Sequence, residues 1–321
     1  MSATRFRILP RTRDQVQQDR RQRTGDRLLL ITLFTLPGML LFLLFVLLPI
    51  GQSFYYSLYN WEGFGPPVDF IAFGNYERLL NHSIFQLAAR NSFMLMALSL
   101  AIQLPLALSL ALLVGRGNLH GRKIFRAFLF IPYVFSEVIT AIIWRAVLSP
   151  NAGALLNSVM ATFVPDFKAV GWLADRSLVI YILFAVLTWK YFGFYMILYM
   201  AGLQGIPADL EDAARVDGAN VWEVLRYITL PLLGSTIRLT IYLSVLGSFQ
   251  QFVLAWVLTN EGGPANASQL IATYLYKFGI QQFKLGYGSA VAVVLFVIAL
   301  IFSLTYQRFV MRGDTVTTTR V

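Results

Sequence analysis

From Leu28 to Ile50 the chain runs for 23 residues without a charged side chain. That length lets an α-helix cross about 30 Å of hydrocarbon. Five further charge-poor segments follow, at about 91–114, 127–148, 178–203, 236–258 and 287–307. A segment in hydrocarbon must satisfy its own backbone N–H and C=O groups, so such runs are read as spanning helices. The chain is therefore expected to be an all-α polytopic membrane protein with six transmembrane helices, the first kinked at Pro37-Gly38. Composition agrees, because charged residues are 13% of the 321, against roughly 25% in soluble domains. A cleaved signal peptide is not expected: the first run is longer than an h-region, and no small-residue cleavage site follows it. With no cysteine and two histidines, a disulfide framework is excluded and a metal centre is not expected.

The net charge of +10 raises nucleic acid as a partner, but the placement of the cations argues against it. With the N-terminus inside, the cytoplasmic parts (1–27, 115–126, 204–238, 308–321) hold eighteen lysines and arginines and the external loops six. This is the charge asymmetry of a multi-pass protein of the plasma (inner) membrane with both termini cytoplasmic. The organisation expected is a basic cytoplasmic segment 1–27, a transmembrane domain 28–310 and a cytoplasmic tail 311–321.

One polar stretch interrupts the apolar runs, from Gly205 to Pro231. Pro207 suits a helix start, and Asp209, Glu211 and Asp212 suit its first turn, where the helix dipole favours carboxylates. Asp217-Gly218 reads as a turn, and Asn220 as the cap of a second short helix ending at Pro231. The spacing predicts helix, Gly turn, helix on the cytoplasmic surface between helices four and five.

Asp212-Ala213-Ala214, Gly218, Ile228, Leu230 and Pro231 resemble, in spacing, the cytoplasmic EAA loop of ABC importer permeases, with Asp212 in place of the leading Glu and Glu211 beside it. Leu36-Pro37-Gly38 to Leu58, Phe73-Gly74-Asn75-Tyr76, Asn91, Ala201-Gly202-Leu203-Gln204 and Gly262-Gly263-Pro264 extend the likeness over most of 28–310. The nearest subgroup resembles the maltose- and glycerol-phosphate-type carbohydrate permeases. The resemblance implies a coupling helix, with ATPase contacts at Glu211, Asp212, Ala213, Ala214, Asp217 and Gly218. It also implies a second, homologous permease chain, an ATPase dimer and an extracytoplasmic solute-binding protein meeting the 51–90 and 262–264 loops. No lysine follows a glycine, so the chain lacks a phosphate-cradling loop of the Gly-x-x-x-x-Gly-Lys-Ser/Thr type. No catalytic residue and no cofactor are expected on this chain; ATP and Mg belong to the partner ATPase.

Charged groups within the spans are Glu137, Arg145 and Lys190, and such groups usually face a cavity or a partner. Glu137 and Lys190 could pair across helices, Lys190 could contact solute, or the cations could snorkel. Lys190, Tyr191 and Phe194 share a helix face, as do Phe249, Gln250 and Val253, with Gln251 adjacent. The resemblance gives these mid-helix positions to the solute pathway. Lys190 leans the solute toward a polar or anionic group, with oligosaccharide, polyol and glycerol phosphate all open. The rival reading is an ion-coupled carrier using Glu137 and Lys190, against which the sequence shows no paired broken helices. If Lys190 serves the pathway, Lys190→Met impairs uptake or solute affinity.

Overall fold

The computed structural model describes residues 29–116 and 121–311, with Arg116 and Arg122 described by their backbone alone. The segment 1–27 and the tail beyond Met311 lie outside the described residues. The chain divides into two compact units, Met1–Tyr55 and Tyr56–Val321. In the first, helix α1 (Leu29–Tyr56) runs through Pro37-Gly38 uninterrupted. Its departure from α geometry comes later, as a π turn over Leu43–Leu47, rather than as a break at the proline.

The second unit is helical, and its one strand-like feature among the described residues is an isolated bridge between Tyr59 and Phe70. α2 (Gly74–Asn81) leads into α3 (Ser83–Gly115), which starts eight residues before the expected 91 and carries a π turn over Ser99–Gln103. α4 (Arg122–Val134) and α5 (Glu137–Val147) follow, then a short α6 (Leu155–Phe163) and the long α7 (Val179–Gln204). α8 (Ala208–Val216) and α9 (Val221–Leu232) form the polar loop. α10 (Gly234–Gln250), α11 (Val253–Leu258), α12 (Ile271–Tyr274) and α13 (Leu285–Phe309) complete the unit.

Two expected spans are not continuous. The third is bent by 98° between α4 and α5, so Glu137 opens a helix instead of sitting in the middle of one. Pro132 weakens the end of α4 by removing an N–H. Phe135 and Ser136 are extended, and the Ser136 hydroxyl caps α5 by accepting from Ile139 N–H at 3.2 Å. The fifth stops at Gln250, with Gln251 and Phe252 non-helical before α11. No proline or glycine marks that second break. Broken helices are therefore present, contrary to the sequence expectation, and they no longer separate a permease from a carrier. Among the described residues, four helices are long and apolar enough to cross a membrane, or six if the bent pairs α4–α5 and α9–α10 (the latter bent by 66°) each count as one span.

α7 is the axis of the unit. One half, through Leu183, Val186 and Leu187, packs with Leu95, Ala141 and Leu254. The other, through Tyr195, Met196 and Tyr199, packs with Leu104, Ala107 and Leu233. A third cluster joins Phe85, Phe249, Tyr274 and Val291. α4 approaches α7 so closely that a Cβ on Gly193 would lie 2.3 Å from the Leu129 carbonyl oxygen. A backbone atom cannot yield as a side chain can. Gly193→Ala is expected to destabilise by about 1–3 kcal/mol through overpacking. Gly247→Ala, whose Cβ meets nothing within 4 Å, is the control. Thermal unfolding of the two variants in detergent should separate them, with only the first falling below the wild type.

Candidate functional site: a polar cavity between broken helices

α3, α5, α7 and α10 enclose a cavity of about 280 Å³. α3 contributes Leu95, Ser99 and Gln103 at helical spacing, and α7 contributes Phe184, Leu187, Tyr191 and Tyr195. From α10 and its end come Ser244, Gly247, Ser248, Gln250 and Gln251, and from α5 comes Glu137. The polar side chains form a bracket across the helices. The Ser99 hydroxyl donates to Gln103 Oε1 and shares a 2.8 Å hydrogen bond with the Ser244 hydroxyl. Gln103 Nε2 reaches the Leu187 carbonyl at 3.4 Å, and Ser248 donates to the Ser244 carbonyl at 2.8 Å. Gln251 is buried in the wall, and its Nε2 has no partner.

Glu137 ties the breaks together. Its Oε1 accepts from the Tyr191 hydroxyl at 2.5 Å, and its Oε2 accepts from Leu254 N–H at 3.1 Å. One carboxylate thus joins α5, α7 and α11. It sits in the first turn of α5 and at the first turn of α11, where N–H groups lack intrahelical partners and negative charge is favoured.

Lys190 takes the opposite end of the same break. It is 3% exposed, and its Nζ donates to the carbonyls of Phe135 at 2.5 Å and Tyr133 at 3.5 Å. Those carbonyls end α4, where a cation is the fitting cap. Lys190 and Glu137 are near enough to interact through space, but their polar atoms are taken by these other partners. Of the readings left open, direct pairing gives way to two separate caps, Lys190 on the end of α4 and Glu137 on the start of α11.

Of the other expected pathway residues, Tyr191, Gln250 and Gln251 are in the wall. Phe194 instead stacks on Tyr133 with ring centres 4.9 Å apart. Phe249 is buried edge-to-face against Phe93 at 5.1 Å, and Val253 opens α11. Ser99, Gln103, Ser244 and Ser248 were not singled out from the sequence. Gln103 inside an apolar run and two serines four residues apart were the available signals. Arg145 is exposed at the end of α5 and lines a second cavity of about 360 Å³ with Thr259 and Asn260.

The polar loop has the expected form. Asn220 Oδ1 accepts from Trp222 and Glu223 N–H, both at 3.0 Å, and Glu223 reaches back to Asn220 N–H at 2.7 Å, a capping box. Gly218 makes the turn at φ +92°, a conformation that side chains other than glycine rarely adopt. The two adjacent acids diverge. Glu211 is buried and accepts from the Thr229 hydroxyl at 2.7 Å, fastening α8 to α9. Asp212 is exposed, beside Arg215 at 3.0 Å, with Ala213, Asp217 and Gly218 exposed and Ala214 half-buried. Val216, Val221, Trp222 and Tyr227 are each at least 70% exposed around the turn.

A bundle of broken apolar helices around a polar cavity, with a rigid two-helix loop projecting between α7 and α10, is the build of a membrane permease that works with other chains. The chain belongs to the family of binding-protein-dependent transport system inner membrane components, whose profile matches residues 103–312. It is an ABC importer permease of the inner membrane, a transport subunit and not an enzyme. It is similar to a diacetylchitobiose uptake permease of Streptomyces coelicolor, 31% identical over 88% of this chain and 83% of that one. An arabinooligosaccharide permease of Bacillus subtilis is 30% identical over 85% of both chains. A lactose permease of Rhizobium radiobacter is 30% identical over 86% of this chain and 92% of the relative. A chain of a crystallised bacterial alginate ABC transporter, in complex with its pentasaccharide-bound periplasmic protein, is similar in structure at TM-score 0.77. It is 25% identical, over 91% of this chain and 97% of that one.

Two stability predictions follow from the caps. Lys190→Met strands the carbonyls at the α4 end and lowers stability by about 1–3 kcal/mol, read as a lower unfolding midpoint in detergent. Glu211→Ala similarly lowers the midpoint by removing the acceptor of Thr229, whereas Asp212→Ala leaves it near the wild type, since exposed ion pairs contribute little.

Proposed function

We propose that this chain forms one half of the pathway of an ATP-driven importer for a sugar or sugar-like solute. A second, homologous permease chain supplies the other half. The 280 Å³ cavity is the solute site, and its mixture of aromatic faces, amides and hydroxyls suits a ring with apolar faces and a polar rim. The names of the chitobiose, arabinooligosaccharide and lactose permeases support the same solute class.

Coupling runs through 205–231. The observation that carries this reading is the exposed apolar set Val216, Val221, Trp222 and Tyr227, held around a turn that Gly218 and the Asn220 capping box make rigid. Apolar side chains on a polar surface loop are the mark of a docking site. The partner is an ATPase dimer that brings ATP and Mg, and no cofactor is held by this chain. Asp212, Ala213 and Asp217 face that partner, while Glu211 keeps the two helices of the loop moving as one body. The lysine and arginine distribution puts this loop and both termini in the cytoplasm. A binding protein delivers solute on the other side, at the 51–90 and 262–264 loops.

Tagged protein taken from its native membrane in mild detergent should bring an ATPase and a second permease with it. Gly218→Ala adds no clash, since nothing lies within 4 Å of its Cβ, but disfavours φ +92°. It is expected to lose the ATPase while keeping the second permease. A chain that purifies alone and transports after reconstitution without ATP would contradict the reading.

A further inference from the structure

The cavity's own wall assigns the charge of its solute; this inference rests on the cavity being the solute site. We propose that the cavity accepts neutral, hydroxyl-rich sugars and rejects carboxylated or phosphorylated ones. Among the described residues, Glu137 is the only Asp, Glu, Lys, Arg or His in the wall. Its oxygens each hold one donor, Tyr191 and Leu254 N–H, and a carboxylate oxygen has room for a second. A sugar hydroxyl can fill it. Gln251 is also in the wall, and its Nε2, unpartnered in the structure, can donate to a ring or hydroxyl oxygen once the amide turns into the cavity. The Ser248 hydroxyl, whose hydrogen goes to the Ser244 carbonyl, can accept from a sugar hydroxyl.

A uronate or phosphate would add a second negative charge to a space of about 280 Å³ beside Glu137. Like charges so placed repel each other. Among the described residues, this chain brings no lysine or arginine to the wall to relieve it. Lys190 is outside the wall, its ammonium occupied by the Phe135 and Tyr133 carbonyls, and Arg145 lines the second cavity. The lean toward a polar or anionic group that Lys190 suggested in the sequence thus narrows to a polar, neutral one. Likeness to an importer of the acidic polysaccharide alginate is a likeness of scaffold, and the preference for charge lies in these side chains.

The chain has no cysteine, so Ser248→Cys places a single thiol in the wall. In membrane vesicles of the assembled transporter, the rate of its alkylation by N-ethylmaleimide reports occupancy of the cavity. The probes are maltose, lactose, cellobiose and diacetylchitobiose, each beside its counterpart oxidised to a carboxylate at C6. A neutral sugar should slow alkylation at a concentration about tenfold or more below that needed by its carboxylate, as like-charge exclusion requires. Adding Glu137→Gln should bring the pair to within about twofold of each other. The single-cysteine comparison stands without that second variant if Glu137→Gln does not reach the membrane. A carboxylate that protects as well as its neutral parent overturns the charge preference and leaves the solute site intact. Failure of every sugar, neutral or acidic, to protect overturns the solute site itself and the preference with it.

Discussion

The structure depends on how two interrupted helices are made tolerable inside a membrane. A break leaves N–H groups on one side and carbonyls on the other, and hydrocarbon offers neither a partner. Here a carboxylate and an ammonium, at Glu137 and Lys190, serve opposite ends. Glu137 takes Leu254 N–H at the start of α11, and Lys190 takes the carbonyls that finish α4. Each charge would be costly alone in the bundle, but each is matched to the helix end whose partial charge is opposite. The breaks in turn open the wall that Gln251 and Glu137 line. A polar cavity exists there because the helices do not continue.

This arrangement also links the site to the rest of the machine. Glu137 holds α5, α7 and α11 at one point, so movement of any one of these helices alters the cavity. α7 runs from that point to Gln204, and the α8–α9 loop begins directly after it. The Glu211–Thr229 bond and the Gly218 turn hold α8 and α9 together, and this pair connects directly to α7 and α10. No long-range pathway beyond these connected rigid elements is required.

The broad plan was legible in the sequence because hydrophobic length and charge placement are local quantities. The ends of α7 and α13 agree with the apolar runs to within a few residues. The 205–231 loop was legible for a similar reason: Pro207, Asp217-Gly218 and Asn220 act on their immediate neighbours. The break at Gln251–Phe252 was not, since the group that satisfies Leu254 N–H beyond it, Glu137, is more than a hundred residues away, and neither broken position is a proline or glycine. Lys190 was recognised as important, but pairing with Glu137, contact with solute and snorkelling all stayed open, because depth alone cannot tell a carboxylate from a cluster of freed carbonyls. Phe194 and Phe249 shared a face with cavity residues, yet Tyr133 and Phe93 claimed them for packing. The serines of the wall are too common in helices to stand out before α3 and α10 are seen side by side.

The central claim is that solute occupies the space between the two breaks. A photoactivatable neutral disaccharide, bound by the assembled transporter and activated in place, tests this through the peptides it labels. Adducts on the segments carrying Glu137, Tyr191 and Gln251 are the predicted result. Adducts confined to the second cavity, around Arg145 and Asn260, would contradict the account.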